Sequence, residues 1–289
     1  MATIQKLDMK TRGQRGRAQA TIDLIETCTK IIEQVQPITV RGVCYKLFVD
    51  GHIPSMNRKY TAKISRVLTQ AREEGLIPWE WVVDESREME RSGGWKGLTS
   101  YAKDIEQSYK RDFWVHQKKH AIVISEKATV SGILRPVLRE YGVPFFAAHG
   151  FNSATKMHEL AEEIASDKRR TVLLYCGDFD PSGMFMSAKD LPSRLYSYGA
   201  GSVDDGDYVL ERIALTHMDV LAGGLPPFEA ETKKTDPRHR WFVDTFGEQC
   251  WELDAMDPNE LRERVTGKIL EYVNPVDWQT HNQIEAAQR

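Results

Sequence analysis

Cysteine is scarce in this 289-residue chain and is never spaced as Cys-x-x-Cys: Cys28, Cys44, Cys176 and Cys250 stand far apart. That spacing argues against both a zinc site and a disulfide framework. No apolar run approaches the ~20 residues needed to span a bilayer, and the opening MATIQKLDMKTRGQRGRAQ lacks the apolar core of a secretory signal. A cytoplasmic protein without a membrane partner is expected. Internal repeats and low-complexity tracts are lacking too, so a solenoid or a disordered tether is not expected. What remains is ordinary for a globular chain, with 41% hydrophobic and 28% charged residues and room for two modest domains.

The net charge of -3 hides an asymmetry. Through Glu80 there are 13 Lys and Arg against 8 Asp and Glu, a net of +5, and the remainder carries 26 against 34, a net of -8. A basic module joined to an acidic one suits a nucleic-acid enzyme, although a basic third is also often a solvated face.

The acidic part is organised around TVLLYCGDFDPSG, residues 171 to 183. Val172 to Tyr175 read as a strand buried on both faces, and Pro181 with Gly183 turns the chain before a helical pattern resumes. Asp178 and Asp180 are thereby delivered to the carboxyl edge of a parallel sheet, the edge where open α/β sheets bind ligands. Hard oxygen donors of this kind suit Mg²⁺ beside a phosphate, whereas an isolated Asp-x-Asp is more often a solvated acidic turn. Upstream, AIVISEKATVSGIL is another short strand, and it ends on Glu126. PFFAAHG and a helical stretch from Ser153 to Ala165 lie between the two. The order strand, Glu, helix, strand, helix, strand, Asp-x-Asp, helix predicts an α/β wind with all three acids on one edge.

The basic third reads as three helices. Ile22, Ile25, Ile32 and Val35 give an amphipathic helix over 18–35, stopped by Pro37. Thr39 caps a second, Val40 to Asp50, ended by Gly51 and Pro54. A third runs from about Lys59 to Glu74 with Ile64, Val67, Leu68 and Ala71 inward. LIPWEWVVDE then reads as a wing strand, completing a winged-helix domain whose third helix offers Lys59, Lys63, Arg66 and Arg72 to DNA. A helical bundle with solvated basic residues fits the same pattern. In the second helix Val40, Val43, Cys44, Leu47 and Phe48 form the apolar stripe, and Arg41 and Tyr45, one turn apart, lie together off its centre. On residues alone a tyrosine there is more often a packing or rim residue.

The glutamate after one strand and the Asp-x-Asp after another resemble the Toprim domain of topoisomerases, primases and some nucleases. ISEKAT, HGFNSATKMHELAEEI and LLYCGDFDPSG are similar to the topoisomerase VI A subunit and its meiotic double-strand-break relatives. ERIALTHMDVLAGGLPP and WELDAMDPNELRERV extend the likeness over roughly residues 20 to 289. RGVCYKLF resembles the motif that carries the catalytic tyrosine in that family, with Cys44 where a second aromatic often stands.

The resemblance implies a winged-helix domain over 1–90, a linker and helix over 91–118, and a Toprim domain with a helical extension over 119–289. It implies DNA strand breakage by Tyr45, assisted by Arg41 and Glu126, with Mg²⁺ or Mn²⁺ held by Glu126, Asp178 and Asp180. The expected product is a 5′-phosphotyrosyl link, made on double-stranded DNA by a nucleoid-associated homodimer. Family A subunits generally carry more chain ahead of the tyrosine domain, used to dock an ATPase B-type subunit. Here the leading helix starts near Ala18, so a reduced, stand-alone A-type protein is expected and an ATPase partner is left open. Two other readings remain: a Toprim nuclease using metal-activated water, and a DNA-binding module that cuts nothing.

Elsewhere, Ser92, Gly93 and Gly94 suggest a flexible joint. Tyr101, Ile105, Tyr109, Phe113 and Trp114 predict a helical stripe at an interdomain or dimer core. Lys233, Lys234, Arg238, His239 and Arg240 read equally as DNA contacts or a solvated loop. The final WQTHNQIEAAQR reads as a fraying tail.

Overall fold

The computed structural model describes residues 19–83, 95–109, 111–148 and 154–288. The joint at Ser92 to Gly94 lies outside the described residues. In the first part, α1 (Gln19–Val35), α2 (Val40–Val49) and α3 (Arg58–Glu73) pack around Ile25, Cys28, Ile32, Val43, Leu47, Ile64 and Leu68. The Thr39 hydroxyl accepts from the Gly42 N–H, and the Asn57 side chain accepts from the Lys59 and Tyr60 N–H groups, so both later helices begin on the polar caps their sequences offer. Gly75, at φ +72°, ends α3 in a left-handed conformation that a side chain would disfavour.

Of the segment expected as a wing strand, 76–85, residues 76–83 are described. Trp79–Trp81 make a 3₁₀ turn, and β2 (Val82–Val83) is a strand that pairs in parallel with β1 (Ile38–Thr39). The reason lies in burial: Val82 is needed in the helical core, and Ile38, also buried there, offers the neighbouring backbone.

The second part is mixed α/β. β3 (Lys119–Ser125), β4 (Phe145–Ala147), β5 (Arg170–Cys176) and β6 (Tyr208–Ala214) form one parallel sheet in the order β4-β3-β5-β6. Alternate residues serve opposite faces. Ala121, Val123, Val172 and Leu174 pack with α5 (Thr129–Tyr141) and α11 (Pro258–Leu270). Ile122, Ile124, Leu173 and Tyr175 pack with α6 (Ala154–Ser166) and α8 (Leu191–Ser197). Between these elements run α4 (Leu98–Ser108), α7 (Pro181–Phe185), α9 (His217–Ala222), β7 (Phe228–Glu229), α10 (His239–Phe246) and β8 (Gln249–Cys250); α12 (Pro275–Gln288) closes the chain.

Two expectations about flanking segments change. The aromatic stripe divides: Phe113 and Trp114 are buried, but α4, which ends before them, leaves Tyr101 and Ile105 exposed. The tail is a docked helix, with Trp278 of α12 against Phe113 at 4.8 Å and Trp114 at 5.8 Å, because those two rings supply the apolar partner the tail's own sequence does not reveal. No helix among the described residues is long and apolar enough to cross a membrane.

The two parts meet along a packed seam. Arg262 of α11 donates to the carbonyls of Val35, Gln36 and Pro37 at 3.0–3.4 Å, satisfying acceptors left over where α1 ends. Gly132 of α5 faces Val83 so closely that an added Cβ would lie 2.4 Å from Val83 Cγ1. In an exposed helix Gly→Ala stabilises by about 1 kcal/mol. Here overpacking reverses the sign: Gly132→Ala is expected to lower the urea-unfolding free energy by about 1–3 kcal/mol, with recovery when Val83→Ala is added. A Gly132→Ala protein more stable than its parent would contradict the seam.

Candidate active site at the carboxyl edge of the sheet

β3 ends at Ser125 and β5 at Cys176, and the register Ile124↔Tyr175 brings Glu126 level with the turn that starts at Gly177. Asp178 and Asp180 follow in that turn. Asp180 caps α7 by accepting from the Gly183 N–H at 2.8 Å, with Pro181 in the first helical turn. Glu126, the backbone of Asp178 and the Asp180 carboxylate all lie against Gly183. A Cβ there would lie 2.3 Å from the Asp178 backbone carbonyl and 3.2 Å from Glu126 Oε1, so only glycine fits between them. Arg212, reaching across from β6, holds the turn from below by donating to the carbonyls of Gly177, Asp178, Gly183 and Leu215.

Ammonium groups from this chain lie among these acids. Lys127 Nζ stands 2.8 Å from Asp178 Oδ1 and 2.9 Å from Asp254 Oδ2, and Lys233 Nζ stands 3.2 Å from Asp180 Oδ2. Asp178 Oδ1 also accepts from the Leu253 N–H at 2.8 Å. Among the described residues no group of His, Cys, Asp and Glu stands together as a ready metal site. Burial opposes charge on Lys127, yet Asp178 and Asp254 hold its pKa well above the ordinary value. Burial also works against Asp254, but Lys127 and the Thr39 hydroxyl, 2.6 Å away, keep it ionised below the usual carboxylate range. Among the described residues Glu126 makes no ion pair of that kind, although Lys127 and Arg212 act on it from a distance. Burial, then Asp178 and Asp180, push its pKa up from 4.5 to about 7.

The same contacts seat α2. Thr39 binds Asp254, Arg41 forms a two-pronged ion pair with Glu252, and Lys46 Nζ lies 2.5 Å from Asp257. Arg41 therefore lines a cleft of about 490 Å³ together with Glu126, Lys127, Asp178, Lys233, Glu252 and Asp254. Tyr45 is buried and lines a separate cavity of about 640 Å³, with the Arg41 guanidinium 5.9 Å from its ring centre. Burial first, and then Glu252, raise the pKa of its phenol against the pull of Arg41, so the hydroxyl is neutral at ordinary pH.

Of the residues expected on DNA, Lys59, Lys63 and Arg66 are exposed on α3. Arg72 is corrected: it is buried, donates to the Trp79 and Val82 carbonyls, and lies 4.3 Å from the Trp79 ring centre, because the chain after α3 folds back over the helix end. Lys233 turns inward to Asp180, and Arg238 pairs with Asp236. The sequence reading passed over Lys127, Arg212, Glu252 and Asp254. Lys127, directly after Glu126 at a strand end, and the two acids of WELDAMD were visible signals; Arg212, in an apolar strand, was the buried charge that needed a partner.

The chain matches no protein-family model, no curated protein and no solved structure. The likeness to topoisomerase VI A subunits rests on the quoted motifs.

The raised Glu126 pKa has a signed consequence. Its protonated form is favoured on folding, so the stability this group contributes is full below pH 4.5 and is lost as pH rises through about 7. Glu126→Gln keeps the neutral shape. It is expected to exceed the parent in unfolding free energy by about 1–3 kcal/mol at pH 8 and to match it near pH 4. Equal slopes of stability against pH in the two proteins would count against three gathered acids.

Proposed function

We propose that this chain is a DNA-cleaving transesterase of the topoisomerase VI A type, in which a winged-helix-like module carries the nucleophile Tyr45 and a Toprim-like module carries the acids. One observation carries the reading: Glu126 and Asp178 line a cleft whose opposite wall is the Arg41 helix, and Asp180 is tied to that cleft through Lys233, which lines it. The runner-up, hydrolysis by a Toprim nuclease, uses the acids but gives the Arg41 and Tyr45 helix no task.

The donor chemistry fits Mg²⁺ or Mn²⁺ held by Glu126, Asp178 and Asp180. The three are hard oxygen donors, and burial first, then the like charges of Asp178 and Asp180, raise Glu126 toward neutrality. Bound there, such an ion supplies charge neutralisation at the scissile phosphate. The chain's own residues do the rest. A DNA phosphate entering the cleft competes with Glu252 for Arg41, which then neutralises charge on the attacked phosphorus. Tyr45 is a poor nucleophile while its phenol is neutral, so its proton must leave as the bond forms. Glu252, relieved of Arg41, accepts that proton. The phenolic oxygen bonds to phosphorus, the deoxyribose 3′-oxygen leaves with its electron pair and gains a proton, and the 5′-phosphotyrosyl link conserves the bond for resealing. Lys59, Lys63 and Arg66 serve the flanking duplex through phosphate contacts.

Arg41, and not Tyr45, faces the acids of its own chain. That supports a homodimer in which each tyrosine serves its partner's acids. With supercoiled plasmid and Mg²⁺ or Mn²⁺, stopped by detergent, nicked or linear DNA should enter a gel only after proteinase treatment, and Tyr45→Phe should lower its yield at least about a hundredfold. Protein-free ends at undiminished yield in Tyr45→Phe would establish hydrolysis instead.

A mixed dimer of Tyr45→Phe and Glu126→Ala chains tests the shared site once each homodimer is shown inactive. One site then lacks both groups and the other keeps both, so the mixed dimer should nick a single strand. A mixed dimer that cuts nothing would contradict sharing.

A further inference from the structure

We propose that the groove between the Trp79 turn and α5 binds a base-and-phosphate unit of a single-stranded nucleic acid, with the Trp79 indole as the stacking platform and Arg135 and Arg139 as the phosphate contacts. The groove is a cavity of about 440 Å³ lined by Trp79, Arg135 and Arg139, among others, and Val83 forms part of its wall. Trp79 is 55% exposed, a large apolar surface to leave in water. Its ring is nonetheless braced. The buried Arg72 guanidinium lies 4.3 Å from the ring centre and donates to the carbonyls of Trp79 and Val82 at 3.3 and 3.4 Å. An indole fixed on one side by a cation and open on the other is a preorganised surface for a second flat group, because little freedom is lost on stacking.

Arg135 and Arg139 are exposed and one helical turn apart, so their guanidinium groups project from the same face of α5. Both also line a neighbouring hollow of about 360 Å³ with Ser131, which extends the groove along the helix. Glu80 lies on the wall as well, leaving the lining only modestly basic. A bare anion therefore has little reason to prefer this place to α3. A nucleotide unit does, since it brings a flat ring for Trp79 together with phosphate for the arginines. In a duplex the base faces are already stacked, so the unit bound must come from a single strand, an overhang or an opened pair.

Val83 lines both this groove and the acidic cleft, so a strand leaving the cleft along the seam enters it directly. That continuity makes the groove a strand-holding site beside the break and rests on the proposed cleavage reading; the binding itself does not.

The test uses the full chain in a Tyr45→Phe background without divalent metal, so that nothing is cut, and reads fluorescence anisotropy of labelled single-stranded and duplex oligonucleotides. Trp79→Ala is expected to weaken single-strand binding about tenfold, with Trp79→Phe within about threefold of the parent. Duplex binding by α3 should change less than about twofold. Arg135→Gln with Arg139→Gln, both exposed, should reduce the slope of log affinity against log salt by about 1.4 on single strands. Adenosine monophosphate should compete only weakly; competition as tight as the strand's would overturn the strand in favour of a free nucleotide. Single-strand affinity and salt slope unchanged in both the Trp79 and the arginine variants, with circular dichroism intact, would overturn the site. That failure would leave the Tyr45 reading untouched, and a Trp79-dependent affinity would stand even if Tyr45 proved inert.

Discussion

Carboxylates gathered at the end of a parallel sheet must be reconciled with one another, and this constraint shapes most of what surrounds them. Glu126, Asp178 and Asp180 come together because strand ends and a tight turn put them there. Their repulsion is offset by Lys127 and Lys233 at the side chains and by Arg212 beneath the turn. Burial first, and then Asp178 and Asp180, raise the proton affinity of Glu126 against the pull of Lys127 and Arg212. A buried charge left unpaired costs several kcal/mol, roughly the scale of a domain's whole stability, so these ammonium groups are part of the fold.

The same charges set the position of the helix carrying Arg41 and Tyr45. Lys127 binds Asp254, Asp254 binds Thr39, and Thr39 caps α2, so the acid edge and the helix are joined through three successive polar contacts. Arg41 on Glu252 and Lys46 on Asp257 repeat the arrangement five residues apart. Any ligand that draws Lys127 or Arg41 away therefore acts on the seat of α2 as well as on local charge. Gly132 and Arg262 hold the rest of the seam by close packing and carbonyl contacts, which do not depend on ionisation.

Much of this was legible in the sequence, because it was local. The helix cap at Thr39, the strands before Glu126 and Asp178, and the turn at Gly183 all follow from neighbouring residues. What was not legible depended on contacts distant in the chain. Arg72 reads as one more basic residue on α3, and only the return of the Trp79 segment buries it. The wing segment reads as a strand, but nothing near it in sequence shows its partner, because Ile38–Thr39 lies more than forty residues upstream and pairs with it in parallel. The tail of α12 has a weak apolar pattern of its own and docks through Trp278 and His281 onto rings its sequence does not show. Lys127 was in plain view beside Glu126; what no spacing revealed was that Asp254 would arrive to share it.

Transesterification and hydrolysis differ in the atom that bonds to phosphorus. After incubation with DNA and Mg²⁺ or Mn²⁺, the trapped protein can be digested with nuclease and trypsin and its peptides read by tandem mass spectrometry. Cleavage after Arg41 and Lys46 isolates Gly42 to Lys46, GVCYK, in which Tyr45 is the only tyrosine. A nucleotide phosphate on the Tyr45 oxygen, absent when Glu126 is replaced by Ala, is the result expected. Cut DNA with free 5′-phosphates and an unmodified GVCYK peptide, or an adduct on any other residue, would contradict it.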